Sequence, residues 1–242
     1  MKQFVIVVFL LSVIATGAIA QKQGANPLAG YFGFIPTETL EKSGVSVGCW
    51  SIYEFKDKDG VGKLKFSIVG KEKDSYWLEI ATTDKDGERS IMKMLFTGDP
   101  RKETTATRII MKNGDEPAVE LPTMKLNKPN RVEMKEKTEE KTTEEQEPES
   151  EIKEIGKEKL TVAGRKLETT HYKISSVDED GEKEEFDVWL SPEVPFIPVV
   201  KAIEPESEFQ LVDFGKSGAK SEITEEPKKI ELKLPFEIKG GK

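Results

Sequence analysis

Within residues 166–203, two strand-like runs, one carrying Thr170, Tyr172 and Ile174 and the other Phe186, Val188 and Leu190, flank the turn-forming sequence Asp178-Glu179-Asp180-Gly181. Apolar residues at every second position on both sides of such a turn specify an antiparallel hairpin. Pro192, Pro195 and Pro198 then deny backbone donors to a continuing ladder, so the second strand ends near Ser191 and turns a corner into Val199-Val200-Lys201. The motif recurs: Asp57-Lys58-Asp59-Gly60 and Asp84-Lys85-Asp86-Gly87 also separate strand-like runs, which makes a meander of hairpins the economical topology. Strands are predicted over 45–55, 63–69, 75–82, 90–97 and 105–112, and again over 159–162, 166–175, 185–191 and 208–214, with further short ones at 131–134 and 230–234.

Faces follow from the period. Leu64, Phe66 and Ile68 alternate with Lys65 and Ser67, as in a strand with one wet side. Residues 90–97 differ. Met92, Met94 and Phe96 form one apolar face while Ile91 and Leu95 populate the other, so this strand is predicted to be central and covered on both sides. The fold class expected is mainly β: one curved antiparallel sheet, an incomplete barrel, with a few short helical or irregular covering segments.

The chain opens with Lys2, an apolar run from Phe4 to Ile14 and small residues ending Ala18-Ile19-Ala20, the pattern of a cleavable secretory signal. Removal of residues 1–20, whose only charge is Lys2, takes the net charge from −8 to −9. Lysines interleaved with acids argue against a nucleic-acid partner, and no later run is apolar enough for a transmembrane segment. The location expected is secreted or periplasmic. Residues 21–44 read as an irregular, Gly- and Pro-broken lead-in. Residues 45–218 read as a single β domain of two strand-rich halves, 45–134 and 155–218. Between them, 135–154 holds nine glutamates, four lysines and one aliphatic residue, Ile152, and reads as a flexible acidic linker. Residues 219–242 form a C-terminal tail.

Chemistry is sparsely signalled. The Asp-x-Asp-Gly runs invite a calcium reading, but no acid stands where such a loop closes, and hairpin turns need the same residues. His171 is the single histidine and Cys49 the single cysteine, so neither a zinc constellation nor an intramolecular disulfide is available. No cofactor is indicated, and nothing supports an enzyme. Trp50, Tyr53, Phe66, Trp77, Met92, Met94, Phe96, Trp189 and Phe196 arise from successive strands or their ends. They form the candidate lining of an apolar pocket, against the plainer alternative of ordinary core packing.

The signal-like start, the meander, the run from Asp187 through Pro195 to Lys201, and the first-half runs Gly48 to Tyr53, Gly70-Lys71-Glu72 and Tyr76 to Ile80 resemble secreted bacterial β proteins without an assigned function. Those proteins are similar in style to the periplasmic lipoprotein-carrier superfamily (LolA, LolB, LppX and RseB). The resemblance spans most of residues 45–215. It implies a curved sheet whose concave face is covered by helices and holds acyl chains, hence a non-catalytic binding protein for a lipid or acylated partner. No functional residue of the carriers maps onto a position here, and the broken lead-in and acidic stretch depart from their pattern. The alternative is an envelope scaffold or protein-interaction module without a ligand cavity, its partner an envelope protein.

Overall fold

The turn carboxylates start the fold. In the computed structural model, which describes residues 35–103, 105–121, 151–177 and 183–229, Asp57 accepts hydrogen bonds from the backbone N–H groups of Asp59 (2.8 Å) and Gly60 (3.0 Å). This closes β1 (Trp50–Asp57) onto β2 (Gly60–Glu72). Asp84 binds the N–H groups of Asp86 and Glu88 in the same way between β3 (Ser75–Thr83) and β4 (Arg89–Thr97). These carboxylates therefore serve as turn caps. The third such run, 178–181, lies outside the described residues.

The remaining strands are β5 (Ala106–Asn113), β6 (Val119–Leu121), β7 (Glu151–Val162), β8 (Arg165–Val177), β9 (Lys183–Leu190), β10 (Val199–Ile203), β11 (Glu208–Gly215) and β12 (Lys228–Lys229), and one short helix, α1 (Thr37–Ser43), precedes β1. All twelve strands join a single curved, open sheet in the order β12-β6-β5-β4-β3-β2-β1-β11-β10-β9-β8-β7. The two halves are fused by the β1–β11 ladder, from Trp50 opposite Gly215 to Lys56 opposite Glu208. Pairing is antiparallel throughout except between β12 and β6. The fold class agrees with the sequence reading.

The boundaries differ in three places. β7 begins at Glu151 rather than near residue 159, so the last residues of the 135–154 stretch lie in a strand. The ladder to β8 supplies backbone hydrogen bonds whatever the side chains, and the stretch up to Lys159, wet on both faces, needs no apolar alternation. Residues 45–49 precede β1 instead of belonging to it, because Gly48 turns the backbone with φ of +92°. Residues 219–229 of the tail, led in by residues 216–218, pack across the sheet and reach β12. The expected strands at 131–134 and 230–234 and the stretch 135–150 lie outside the described residues.

Each face of the first-half strands has its own core. The larger, inner cluster gathers Tyr53, Leu64, Phe66, Ile68, Leu78, Ile80, Met92, Met94 and Phe96 with Val188, Leu190 and Leu211 of the second half. Ile35, Val194, Phe196 and Ile197, from the lead-in to α1 and the proline-rich corner, complete it. The outer cluster contains Trp77, Ala81, Ile91, Leu95, Ile110 and Ala118 together with Ile223 from the C-terminal segment. β4, alternating between the two, is covered on both sides as its sequence predicts.

Candidate functional site

The nine candidate pocket residues do not line one concavity. Tyr53, Phe66, Met92, Met94, Phe96 and Phe196 share the inner cluster, and Trp189 packs at its margin. Trp77 belongs to the outer cluster. Trp50 also faces outward: its indole N–H donates to the Ser217 carbonyl (3.2 Å), and its ring lies so close over Gly215 that a Cβ there would come within 2.5 Å of the indole nitrogen. Strand parity explains the split, since Trp50 is one residue out of phase with Ser51 and Tyr53, and Trp77 with Leu78 and Ile80.

The inner residues fill their own space. Tyr53 stacks on Phe209 with centroids 4.4 Å apart, meets Phe66 edge-on, and donates its hydroxyl to the Ile197 carbonyl at 2.7 Å. Phe66 in turn packs 6.0 Å from Phe196. Burial pushes the Tyr53 hydroxyl well above the ordinary phenol pKa, so it remains a neutral donor. Phe196 adopts φ of +67°, held by its N–H on the Gly44 carbonyl at 3.1 Å. α1 is fixed by Arg101, which binds the Leu40 carbonyl (2.5 Å), Ser43 Oγ (2.8 Å) and the Asp99 carboxylate. Met92 and Met111 border a crevice of about 20 Å³, room for a single water.

At the far side of the sheet, Trp189 stacks on His171 with centroids 4.2 Å apart, and its indole N–H donates to Glu158. His171 Nε2 shares a 2.7 Å hydrogen bond with Asp187. Cys49 is wholly buried and burial raises its thiol pKa, which makes it an inert core group.

The site that the sequence reading missed lies on the outer face, under residues 216–229. This strap crosses β1 to β5 and ends beside β6. Two cross-strand rows form its bed: Lys65, Ala81, Ile91 and Lys112 in one, and Ser67, Glu79, Lys93 and Ile110 in the other. Glu79, only 2% exposed, accepts the Ser221 hydroxyl (2.6 Å) and the Glu222 backbone N–H (3.0 Å). Lys93 donates to Ser221 Oγ (3.0 Å), Glu222 pairs with Lys65 (3.1 Å) and Arg89 (2.5 Å), and Glu225 pairs with Lys112 (2.5 Å). The Lys112 ammonium holds the Glu225 carboxyl down at about 2. Partial burial pushes the Glu222 carboxyl up, but Arg89 and Lys65 outweigh that and leave it below the usual range. Ile223, 5% exposed, is the strap's apolar anchor. The first-half lysines read from sequence as scattered are thus aligned by register. The available signal was Glu79, a lone acid inside the run Trp77-Leu78-Glu79-Ile80-Ala81.

No family model matches the chain, and no curated protein matches it. Solved structures with a similar arrangement include the complex of Pseudomonas aeruginosa MucA and MucB, with 9% identity, TM-score 0.34 and 76% of this chain covered. MucB alone gives 10% identity, TM-score 0.34 and 80% coverage, and MucB in complex with MucA(peri) gives 10%, 0.31 and 75%. The chain spans 57%, 61% and 55% of those structures. Likeness of this degree carries no inference about partner or activity. Among the described residues no helix is long and apolar enough to cross a membrane.

Proposed function

We propose that the protein is a non-catalytic, extracytoplasmic binding module that holds a protein partner through the sheet edge at β7, which has a strand neighbour on one side only among the described residues. The observation that carries this reading is β7, the terminal strand of the sheet order, twelve residues long and exposed over most of its length. A register shift between Glu154 and Gly156 leaves Ile155 out of the pairing with β8, 49% exposed, and Ile152 on the same strand is 44% exposed. An extended segment added to such an edge gains main-chain hydrogen bonds, and apolar side chains at a bulge give it selectivity. The interspersed Lys153, Glu154, Lys157, Glu158 and Lys159 discourage indiscriminate pairing.

A photo-crosslinking residue placed at Ile155 in producing cells is expected to trap a discrete protein adduct that the same residue at exposed Val61 does not. No adduct, or the same pattern from both positions, contradicts the reading.

The acyl-chain alternative is supported by Met92, Met94 and Met111, soft side chains packed in or against the inner cluster. An acyl chain there requires α1 and residues 191–198 to lift. Native mass spectrometry of mature protein, followed by organic extraction, distinguishes the two: a co-purifying lipid supports the inner face, and a bare mass supports the edge.

A further inference from the structure

We infer that the outer-face slot is a peptide-recognition groove held closed by the chain's own strap, and that its exchange partner is an extended segment of another protein with the pattern serine, acid, aliphatic, any residue, acid. Ser221-Glu222-Ile223-Thr224-Glu225 is that pattern in this chain. This goes beyond the β7 edge, on a different face, so peptide uptake here and crosslinking at Ile155 succeed or fail independently.

The groove is built to read a peptide. Glu79 is a nearly buried carboxylate whose hydrogen bonds go to a hydroxyl and a main-chain N–H of the strap, so it fixes both a side-chain type and the register of the segment above it. The slot formed by Trp77, Ala81, Ile91 and Ile110 takes one aliphatic side chain. Lys65, Arg89 and Lys112 stand where acids of an extended segment fall on either side of that aliphatic residue, and Lys93 adds a bond to the serine. Charge complementarity therefore names an anionic occupant.

The strap is attached in a way that permits exchange. It buries one large aliphatic residue, Ile223, and makes one polar side-chain bond at depth, from Ser221 to the nearly buried Glu79, while its ion pairs to the bed, through Glu222 (28% exposed) and Glu225 (36% exposed), lie near the surface. Such pairs are individually weak and screened by salt. Among the described residues, the strap beyond Glu225 is held by the two-residue β12 on β6 and by the Lys228 N–H donating to the Ala118 carbonyl (2.8 Å), so local opening there leaves the β1 to β5 ladders in place. Once opened, the groove presents four cations, a buried acceptor and an apolar slot to an incoming peptide.

The probe is a fluorescently labelled synthetic peptide of residues 216–229, titrated by anisotropy into the full-length mature protein and into a Glu222→Lys, Glu225→Lys variant whose own strap is weakened. The variant is expected to bind at least tenfold more tightly than wild type, and a peptide carrying the same two lysines is expected to lose that gain. Ile223→Ala, which leaves every charge in place, is expected to raise uptake in the same direction and serves if the double variant does not fold. Equal affinity for wild type and both weakened chains, or for a scrambled peptide, overturns the inference. So does a concentration-dependent wild-type dimer that alone accounts for peptide competition, because the occupant would then be a second copy of this chain.

Discussion

The two covers of this sheet are made differently. On the inner face, the proline-rich corner contributes Val194, Phe196 and Ile197 to a continuous apolar cluster against which Leu40 of α1 packs, with Tyr53 and Arg101 donating to the Ile197 and Leu40 carbonyls. On the outer face, the strap contributes one isoleucine and a line of ion pairs. Both cover similar strands, yet burial of many aromatic and aliphatic groups makes the first inseparable from global folding, whereas the second rests on contacts that water and salt compete for. A cover can thus be core or latch according to what it buries.

The contrast is broken most severely from the inside. Phe66→Ala removes a ring packed among Tyr53, Phe196 and the strands beneath and is expected to cost about 3–5 kcal/mol in denaturant unfolding, with both halves melting together. Tyr53→Phe retains the ring but leaves the Ile197 carbonyl without its donor, for an expected loss of about 1–2 kcal/mol. Glu222→Lys with Glu225→Lys is expected to change global stability by less than about 1 kcal/mol while raising exchange of the strap amides many-fold. A loss as large as that of Phe66→Ala would make the strap part of the core.

The smallest effect sharpens the contrast with pH. Both strap carboxyls have folded pKa values below the ordinary 4.5, so their contribution is fully present above that value and is lost as pH falls through the folded values, for Glu225 toward about 2. The groups facing them are Lys65, Arg89, Lys93 and Lys112 with buried Glu79, all on β2 to β5. Amide exchange in residues 219–228, corrected for intrinsic pH dependence, is therefore expected to quicken below about pH 4.5 and to stay flat between 6 and 8. Acceleration across neutral pH would require a different titrating group.

Sequence alternation made most strands and the two-faced character of β4 legible, because buried faces leave a period-two record in Met92, Met94 and Phe96 against Ile91 and Leu95. The same logic failed over the first part of β7, from Glu151 to Lys159, where neither face is buried and Glu and Lys occupy a strand held chiefly by its ladder; apolar burial returns at Leu160 and Val162. It failed again for Trp50 and Trp77. Residue type pointed to a shared pocket, but parity put both on the opposite face. The strap left almost no trace: its single aliphatic anchor is too sparse for a periodic signal, and the alignment of Lys65, Arg89, Lys93 and Lys112 exists only once the register is set.

The most direct measurement is native-state hydrogen exchange of the protein, comparing amides of residues 219–228 with those of β3 beneath them. The strap is expected to exchange through local opening, at a protection far below that of β3 and falling as salt is raised. Strap and β3 amides exchanging with one common, salt-insensitive protection would mean that the outer cover unfolds only with the whole sheet, and the latch would not exist.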